Sequence, residues 1–146
     1  MANNSQQRQI LRTLAITAIQ QTDIELVKFP NMPTINITSG VQVDPNNEKW
    51  IRVTWLPGEA EFYSYGTNGK NIVNGICQVD IFTPKAQNDL VAYSVADVIS
   101  DNMANQTLFN DDFQLDTLQC TVRPMPDEDD WFGIMCEVRF RAMHLR

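Results

Sequence analysis

Apolar residues recur along this chain with two different periods. From Ser5 to about Gln20 they recur at three- and four-residue steps, which predicts an amphipathic helix with Ser5 available as its N-cap. The same period returns after Thr83 and Pro84 and continues to about Ala104, and proline favours the first position of a helix. The pattern therefore predicts two helices, each with one apolar face.

Elsewhere the period is two, which is typical of strands. Extended segments are predicted at 24–29, 35–37, 50–56, 61–65, 70–82, 118–123 and 132–141. The first strand after the long connection ends before Pro57, and on its alternation Trp50 falls opposite the core face. The Asn68-Gly69 pair predicts a tight hairpin turn before Lys70. Gly75, inside the returning strand, marks a bulge or a close contact.

The order of elements is helix, strands, helix, strands, with mainly antiparallel neighbours. This order predicts an α+β fold with two helices packed on one face of a mainly antiparallel sheet. A length of 146 residues suits a single domain, 1–146, with a substantial core. The hydrophobic fraction of 43% and charged fraction of 20% are those of a globular chain, so we expect no disordered or fibrous class.

Eighteen acidic and eleven basic side chains give a net charge of -7, which is the wrong sign for gripping a phosphate backbone. The same sign suits a surface past which DNA slides, and it is also an ordinary way to keep a protein soluble. No window approaches the length of a membrane span, and the amino terminus lacks the pattern of a secretory signal. We therefore expect synthesis in the cytoplasm and no membrane partner.

Catalytic signatures are missing from the sequence. The single histidine, His144, lies close to the carboxyl terminus, and no nucleotide-binding or hydrolase motif is present. Cys77, Cys120 and Cys136 lie among strand-forming residues without metal-ligand spacing, so we expect buried, reduced thiols. The sequence predicts no enzyme, no cofactor and no metal site.

Acidic residues concentrate in one predicted turn, Asp127, Glu128, Asp129 and Asp130. Carboxylates are ligands for hard cations, but the spacing is not that of an EF-hand loop, and a solvated turn is the simpler interpretation.

Several aromatic residues fall at predicted surface positions: Trp50, Tyr63, Tyr65 and Trp131. Exposed aromatics are favoured anchors at protein interfaces, although a covering loop or helix would equally explain any one of them. As a set, they favour a protein that binds protein.

With these elements placed, the chain resembles the tail terminator proteins of long-tailed bacteriophages, also called minor tail or tail completion proteins. The resemblance covers most of the chain. It rests on the amino-terminal helix and on the segments WIRVTWLPGE (50–59), GICQVDIFTP (75–84), VADVI (95–99) and WFGIMCEVRF (131–140). These are matches of pattern and order. Many members carry a glycine after the strand-to-helix proline, whereas residues 85–89 contain none.

The resemblance implies an α+β domain that assembles as a ring, commonly of six subunits, on the end of the tail tube. Its implied partners are further copies of itself, the tail tube protein and a head-tail connector protein, while DNA passes through without specific binding. Its implied location is the head-proximal end of the virion tail, reached from the bacterial host cytoplasm during assembly.

A closed ring needs two different contact patches on each subunit. The predicted contact residues lie in the hairpin, the acidic turn and their flanks: Trp50, Tyr63, Tyr65, Asn68, Lys70, Asp127, Glu128, Asp129, Asp130 and Trp131. Two other functions stay open. One is another head-tail connector or neck protein, and the other is a small metal-dependent hydrolase that uses the acidic turn.

Overall fold

The structure, a computed structural model, describes residues 4–45, 48–62, 70–85, 89–110, 113–126 and 131–145. Within these ranges the side chains of residues 4, 5, 57–62, 70, 71, 110, 144 and 145 are outside the description. The elements are α1 (Asn4–Gln20), β1 (Leu26–Lys28), β2 (Ile35–Asn36), β3 (Trp50–Phe62), β4 (Lys70–Pro84), α2 (Asp89–Met103), β5 (Thr107–Asn110), β6 (Phe113–Pro124) and β7 (Trp131–Leu145). This is the predicted α+β class.

The described strands form one sheet in the order β2-β1-β3-β4-β7-β6-β5. β1 runs parallel to β3, and every other neighbouring pair is antiparallel. The three long central strands β3, β4 and β7 pair over most of their length, from Trp50↔Phe82 and Pro84↔Trp131 at one end towards Lys70↔Leu145 at the other. This long, continuous ladder fixes which side chains share a face.

Both helices pack on the same face of the sheet, as predicted. One core cluster contains Leu11 and Ile19 of α1, Ile99 of α2, and inward-facing strand residues such as Val79 and Ile134, all essentially inaccessible to solvent. Each aliphatic side chain of this kind stabilises the fold by about 1.5–3 kcal/mol relative to an exposed position. The opposite face of the sheet has no helix against it in the described part of the chain.

The prediction that the third strand ends before Pro57 is wrong. β3 continues to Phe62, with an irregularity in its pairing with β4 between Pro57 and Ala60. Proline cannot donate a ladder hydrogen bond, and a bulge leaves one residue unpaired. Pro57, which the sequence pattern placed after the end of a strand, therefore lies at a local irregularity inside one strand.

The prediction that the second helix starts at Thr83-Pro84 is also wrong. These residues end β4, where Thr83 pairs with Phe132 and Pro84 with Trp131, and α2 begins at Asp89. The Thr83 side chain is buried, and its hydroxyl donates to the carbonyl oxygen of Phe132 over 3.5 Å. Proline is tolerated at the end of a strand, where the ladder no longer needs its missing donor.

The sequence pattern missed β5 and the first half of β6. In β6 the side chains of Phe113, Leu115 and Thr117 are buried, but the register with β7 then shifts between Thr117 and Cys120. The shift changes which residues face inwards, so no single alternation runs through the strand. Neither described helix is long and apolar enough to span a bilayer.

Candidate functional site on the open face of the sheet

The face of the sheet away from the helices is here called the open face. It is formed by alternate residues of the four longest strands: Trp50, Arg52, Thr54 and Leu56 of β3; Ile72, Asn74, Ile76, Gln78, Asp80 and Phe82 of β4; Trp131, Gly133, Met135, Glu137, Arg139, Arg141 and Met143 of β7; and Gln114, Asp116, Thr121 and Arg123 of β6. Four of the chain's seven arginines lie here, although the whole chain is acidic.

At one end of the open face three aromatic rings pack together in a cluster. The rings of Trp50 and Phe82 are stacked with centroids 4.4 Å apart, and Trp131 meets Trp50 edge-on at 6.2 Å. Leu26 pairs with Trp50 in the sheet, and both Leu26 and Phe82 are buried but lie outside the main core. Trp50 thus lies on the predicted face of the sheet, opposite the core. It is half-buried and not exposed as predicted, because it packs against Phe82 and Trp131.

Beside the aromatic cluster lies an ion pair whose carboxylate is buried. The side chain of Asp80 is fully buried and accepts hydrogen bonds from Arg52 Nε at 3.1 Å and Arg52 Nη2 at 3.0 Å, while Gln78 Nε2 donates to its other oxygen at 3.0 Å. The Arg52 guanidinium also lies 5.1 Å from the centre of the Phe82 ring. These donors come from the same sheet, so the charge of the buried carboxylate is balanced by neighbouring side chains of the fold.

Two further arginines of the open face are paired across neighbouring strands. Arg123 Nη2 lies 3.2 Å from Glu137 Oε2, and Arg141 Nη2 lies 3.4 Å from Asp116 Oδ2. Burial raises the pKa of Asp116, but hydrogen bonds from Gln114, Thr107 and Arg141 outweigh burial and lower that pKa below its usual value.

Arg139 differs from the other arginines of this face. It is exposed, and within the described residues no acidic side chain pairs with it. Its neighbour in register is Ile76, whose own neighbour is Leu56, a leucine with 48% of its surface exposed. An unpaired cation beside a half-buried isoleucine and an exposed leucine is a suitable composition for contact with an acidic, partly apolar protein surface.

The three cysteines lie on the core face of neighbouring strands. Cys77 and Cys136 are buried and Cys120 is half-buried, and all three are free thiols. A hydrogen bond from Cys136, which outweighs burial, lowers the pKa of Cys120 to about 7. Burial raises the pKa of Cys77, and the bond to Cys120 together with burial raises that of Cys136. The expected burial is thus confirmed for two of the thiols and is only partial for Cys120.

A shallow groove of about 650 Å³ lies between α1 and the edge strand β5. Ile10 and Leu14 line one side, and Leu108 and Phe109 line the other, with 73% of Phe109 exposed. Sequence reasoning missed this groove because it missed β5.

The predicted contact residues are only partly brought together. Trp50 and Trp131 meet in the aromatic cluster, and both are half-buried. Lys70 begins β4, and its side chain is outside the description. The remaining predicted residues lie outside the described residues: Tyr63, Tyr65, Asn68, Asp127, Glu128, Asp129 and Asp130. Across the described ranges, no three metal-ligating side chains converge.

Comparison with known proteins gives a fold and no family. No family model matches the sequence. No curated protein matches it either. A solved structure of a protein whose name states no activity is similar, with a TM-score of 0.68 over 100% of this chain and 96% of that one. At 13% sequence identity, this similarity concerns the fold alone.

Proposed function

We propose that this chain is a structural tail terminator of a long-tailed bacteriophage. In this proposal it forms a ring of identical subunits, commonly six, on the last layer of the tail tube. The ring ends tube polymerisation and presents the surface to which the head-tail connector protein joins. The protein acts by binding other proteins and carries out no chemical reaction.

One observation carries the proposal. Both helices lie on one side of the sheet, while in the described part of the chain the other side is a broad face of arginines, carboxylates and scattered apolar residues with no helix against it. A monomeric enzyme needs a concave pocket with convergent polar groups, whereas an assembly subunit needs a broad surface. The open face supports the second kind of function, and the α+β fold is the one that the resemblance implies.

The proposed mechanism is steric: the ring covers the surface on which the tube would grow. A tube grows by adding subunits to an exposed end, so a ring bound tightly to that end removes the template for the next layer. Because ring contacts are head-to-tail, each subunit must present two different patches, and a two-layer domain offers one on each layer. The net charge of -7 suits passage of DNA, since an acidic lumen repels phosphate.

Electron microscopy of tails assembled without this protein tests the proposal. We expect tails of variable and excessive length that fail to join heads, and normal length on restoring the wild-type chain. Tails of uniform, normal length in its absence would overturn termination. If the protein co-purifies with portal or capsid protein and not with tail tube protein, it is a neck protein instead.

The acidic turn offers a separate test of the hydrolase alternative. We expect no metal-dependent hydrolytic activity in the wild-type protein, and therefore none that the triple variant Asp127→Ala, Glu128→Ala, Asp129→Ala could lose. A metal-dependent hydrolytic activity in the wild-type protein that this variant loses would contradict the structural function.

A further inference from the structure

Helix α2 presents an exposed stripe towards solvent. Leu90, Ser94, Asp97 and Asp101 are all exposed and follow each other at steps of four, three and four residues, which places them along one side of the helix. Leu90 has 65% of its surface exposed, and the two aspartates lie one turn apart. The stripe is therefore apolar at its amino-terminal end and acidic at its carboxyl-terminal end.

This stripe is not organised for the stability of the helix itself. The charged residues of α2 are Asp89, Asp97 and Asp101, with no basic residue among them. Like charges one turn apart repel each other. In the described part of the chain, neither Asp97 nor Asp101 pairs with a basic side chain. An acidic stripe alone identifies no partner, and the identification comes from a matching surface elsewhere on the same chain.

The matching surface is a row across three strands of the open face. Leu56 of β3, Ile76 of β4 and Arg139 of β7 are register neighbours, so the row is apolar at one end and basic at the other. Each of the other three open-face arginines already has a carboxylate within 3.4 Å, and Arg139 is the one left without a carboxylate in the described ranges.

The two surfaces also agree in length. Leu90 and Asp97 are separated by seven residues of helix, or about 10 Å at 1.5 Å per residue. Leu56 and Arg139 are separated by two strand spacings, also about 10 Å. An α2 helix laid across the strands can therefore place its leucine on Leu56 and Ile76 while Asp97 reaches Arg139.

We propose that the α2 stripe of one copy docks on the Leu56-Ile76-Arg139 row of the next copy, and that this contact closes the ring. The inference rests on the proposed function and names the two surfaces through which neighbouring subunits of the ring contact each other. The helix layer and the open face lie on opposite sides of the domain, so the contact joins two different patches. It therefore repeats from subunit to subunit, as a cyclic assembly requires.

Charge reversal tests the contact on the full chain. Sedimentation at low salt across a range of concentrations measures self-association of the wild type, Arg139→Glu, Asp97→Arg and the double variant. We expect each single reversal to weaken association about tenfold or more and the double reversal to restore it, because the pair is then re-formed with opposite signs. Arg8→Glu and Asp44→Arg, which make the same charge changes at exposed positions outside the contact, should associate like the wild type.

Circular dichroism verifies that each variant is folded, and Arg139→Gln, which removes the charge without reversing it, replaces Arg139→Glu if that variant is not. A wild type that stays monomeric at every concentration would overturn the proposed contact. So would single variants that associate normally, or a double variant that does not recover. None of these results alters the tail-length measurement, so a failed contact and a failed terminator function are distinguishable.

Discussion

The Phe140 ring occupies the space that a side chain on Gly75 would need. A Cβ atom at position 75 would lie 2.6 Å from Phe140 Cζ and 2.8 Å from the carbonyl oxygen of Leu56. Gly75 pairs with Phe140 on one side and with Pro57 on the other, next to the irregularity of β3. An aromatic ring lying over a strand glycine in this way restores the packing that the glycine lacks.

Gly75→Ala should therefore destabilise the fold. We expect a loss of about 3 kcal/mol in the free energy of unfolding, because the backbone of Leu56 cannot move aside without disturbing the ladder. Gly133→Ala is the matched control, since the nearest atom there is the flexible Met125 thioether at 3.0 Å, and about 1 kcal/mol is expected. Urea unfolding measures both losses. Equal losses would show that the contact at Gly75 has no special rigidity.

The Arg52–Asp80 pair should stabilise the protein mainly because Asp80 is buried. Arg52→Met leaves a buried carboxylate without its cation, and we expect a loss of about 2 kcal/mol, reduced from the fully buried case because 38% of the Arg52 side chain is exposed. The double variant Arg52→Met, Asp80→Leu should recover most of this stability in urea unfolding. Arg123→Met, which breaks a more exposed pair, should cost about 0.5 kcal/mol or less. If the double variant is less stable than Arg52→Met, Asp80 contributes through other contacts.

Trp50 should act in packing and not as a partner anchor. Trp50→Ala removes the ring stacked on Phe82, and we expect a loss of about 2 kcal/mol in the free energy of unfolding, since the side chain is half-buried. Trp50→Phe should retain most of the stability. Self-association of the folded Trp50→Phe protein should match the wild type. Unchanged stability in Trp50→Ala together with lost association would restore the interpretation as an interface anchor.

Cys120 should be the reactive thiol of the folded protein. Its pKa of about 7 means that the thiolate fraction, and with it the rate of alkylation by iodoacetamide, should rise through a midpoint near pH 7. Cys136→Ala removes the hydrogen bond that stabilises the thiolate, so the midpoint should move up towards an ordinary value of about 8.5. Mass spectrometry of the modified peptides follows each site, and buried Cys77 should stay unmodified. A midpoint that is unchanged in Cys136→Ala would assign the lowered pKa to another group.

The parts of the fold that the sequence predicted are those governed by local periodicity. The apolar face of α1, the buried alternation at Ile51 and Val53, and the hairpin pairing of β3 with β4 all follow from patterns a few residues long. Such patterns hold because each helix or strand must bury one of its faces, whichever element it packs against. Gly75, which was predicted to mark a bulge or close contact, makes a close contact with Phe140 and lies opposite Pro57, beside the irregularity of β3.

The candidate site was harder to predict, because its composition depends on register between distant strands. Nothing in the sequence around Arg139 indicates that Leu56 and Ile76 lie beside it, or that Arg139 is left without a carboxylate while Arg141 has one. Likewise, Trp50 has the polar-face position of an exposed residue, but Phe82 and Trp131 arrive from two other strands to cover it.

By itself the sequence determined the class of fold, the two described helices, the side of the long strands β3, β4 and β7 that faces the core, and the acidic charge. Only the tertiary structure decided where β3 and β4 end, where the alternation of inward and outward side chains shifts in β6, and which side chains form the open face. The physical reason is that burial of an apolar stripe is a local requirement, whereas ladder pairing is a long-range one. Whether a proline ends a strand, whether a bulge forms and whether an arginine has a carboxylate partner all depend on the strand that lies beside it.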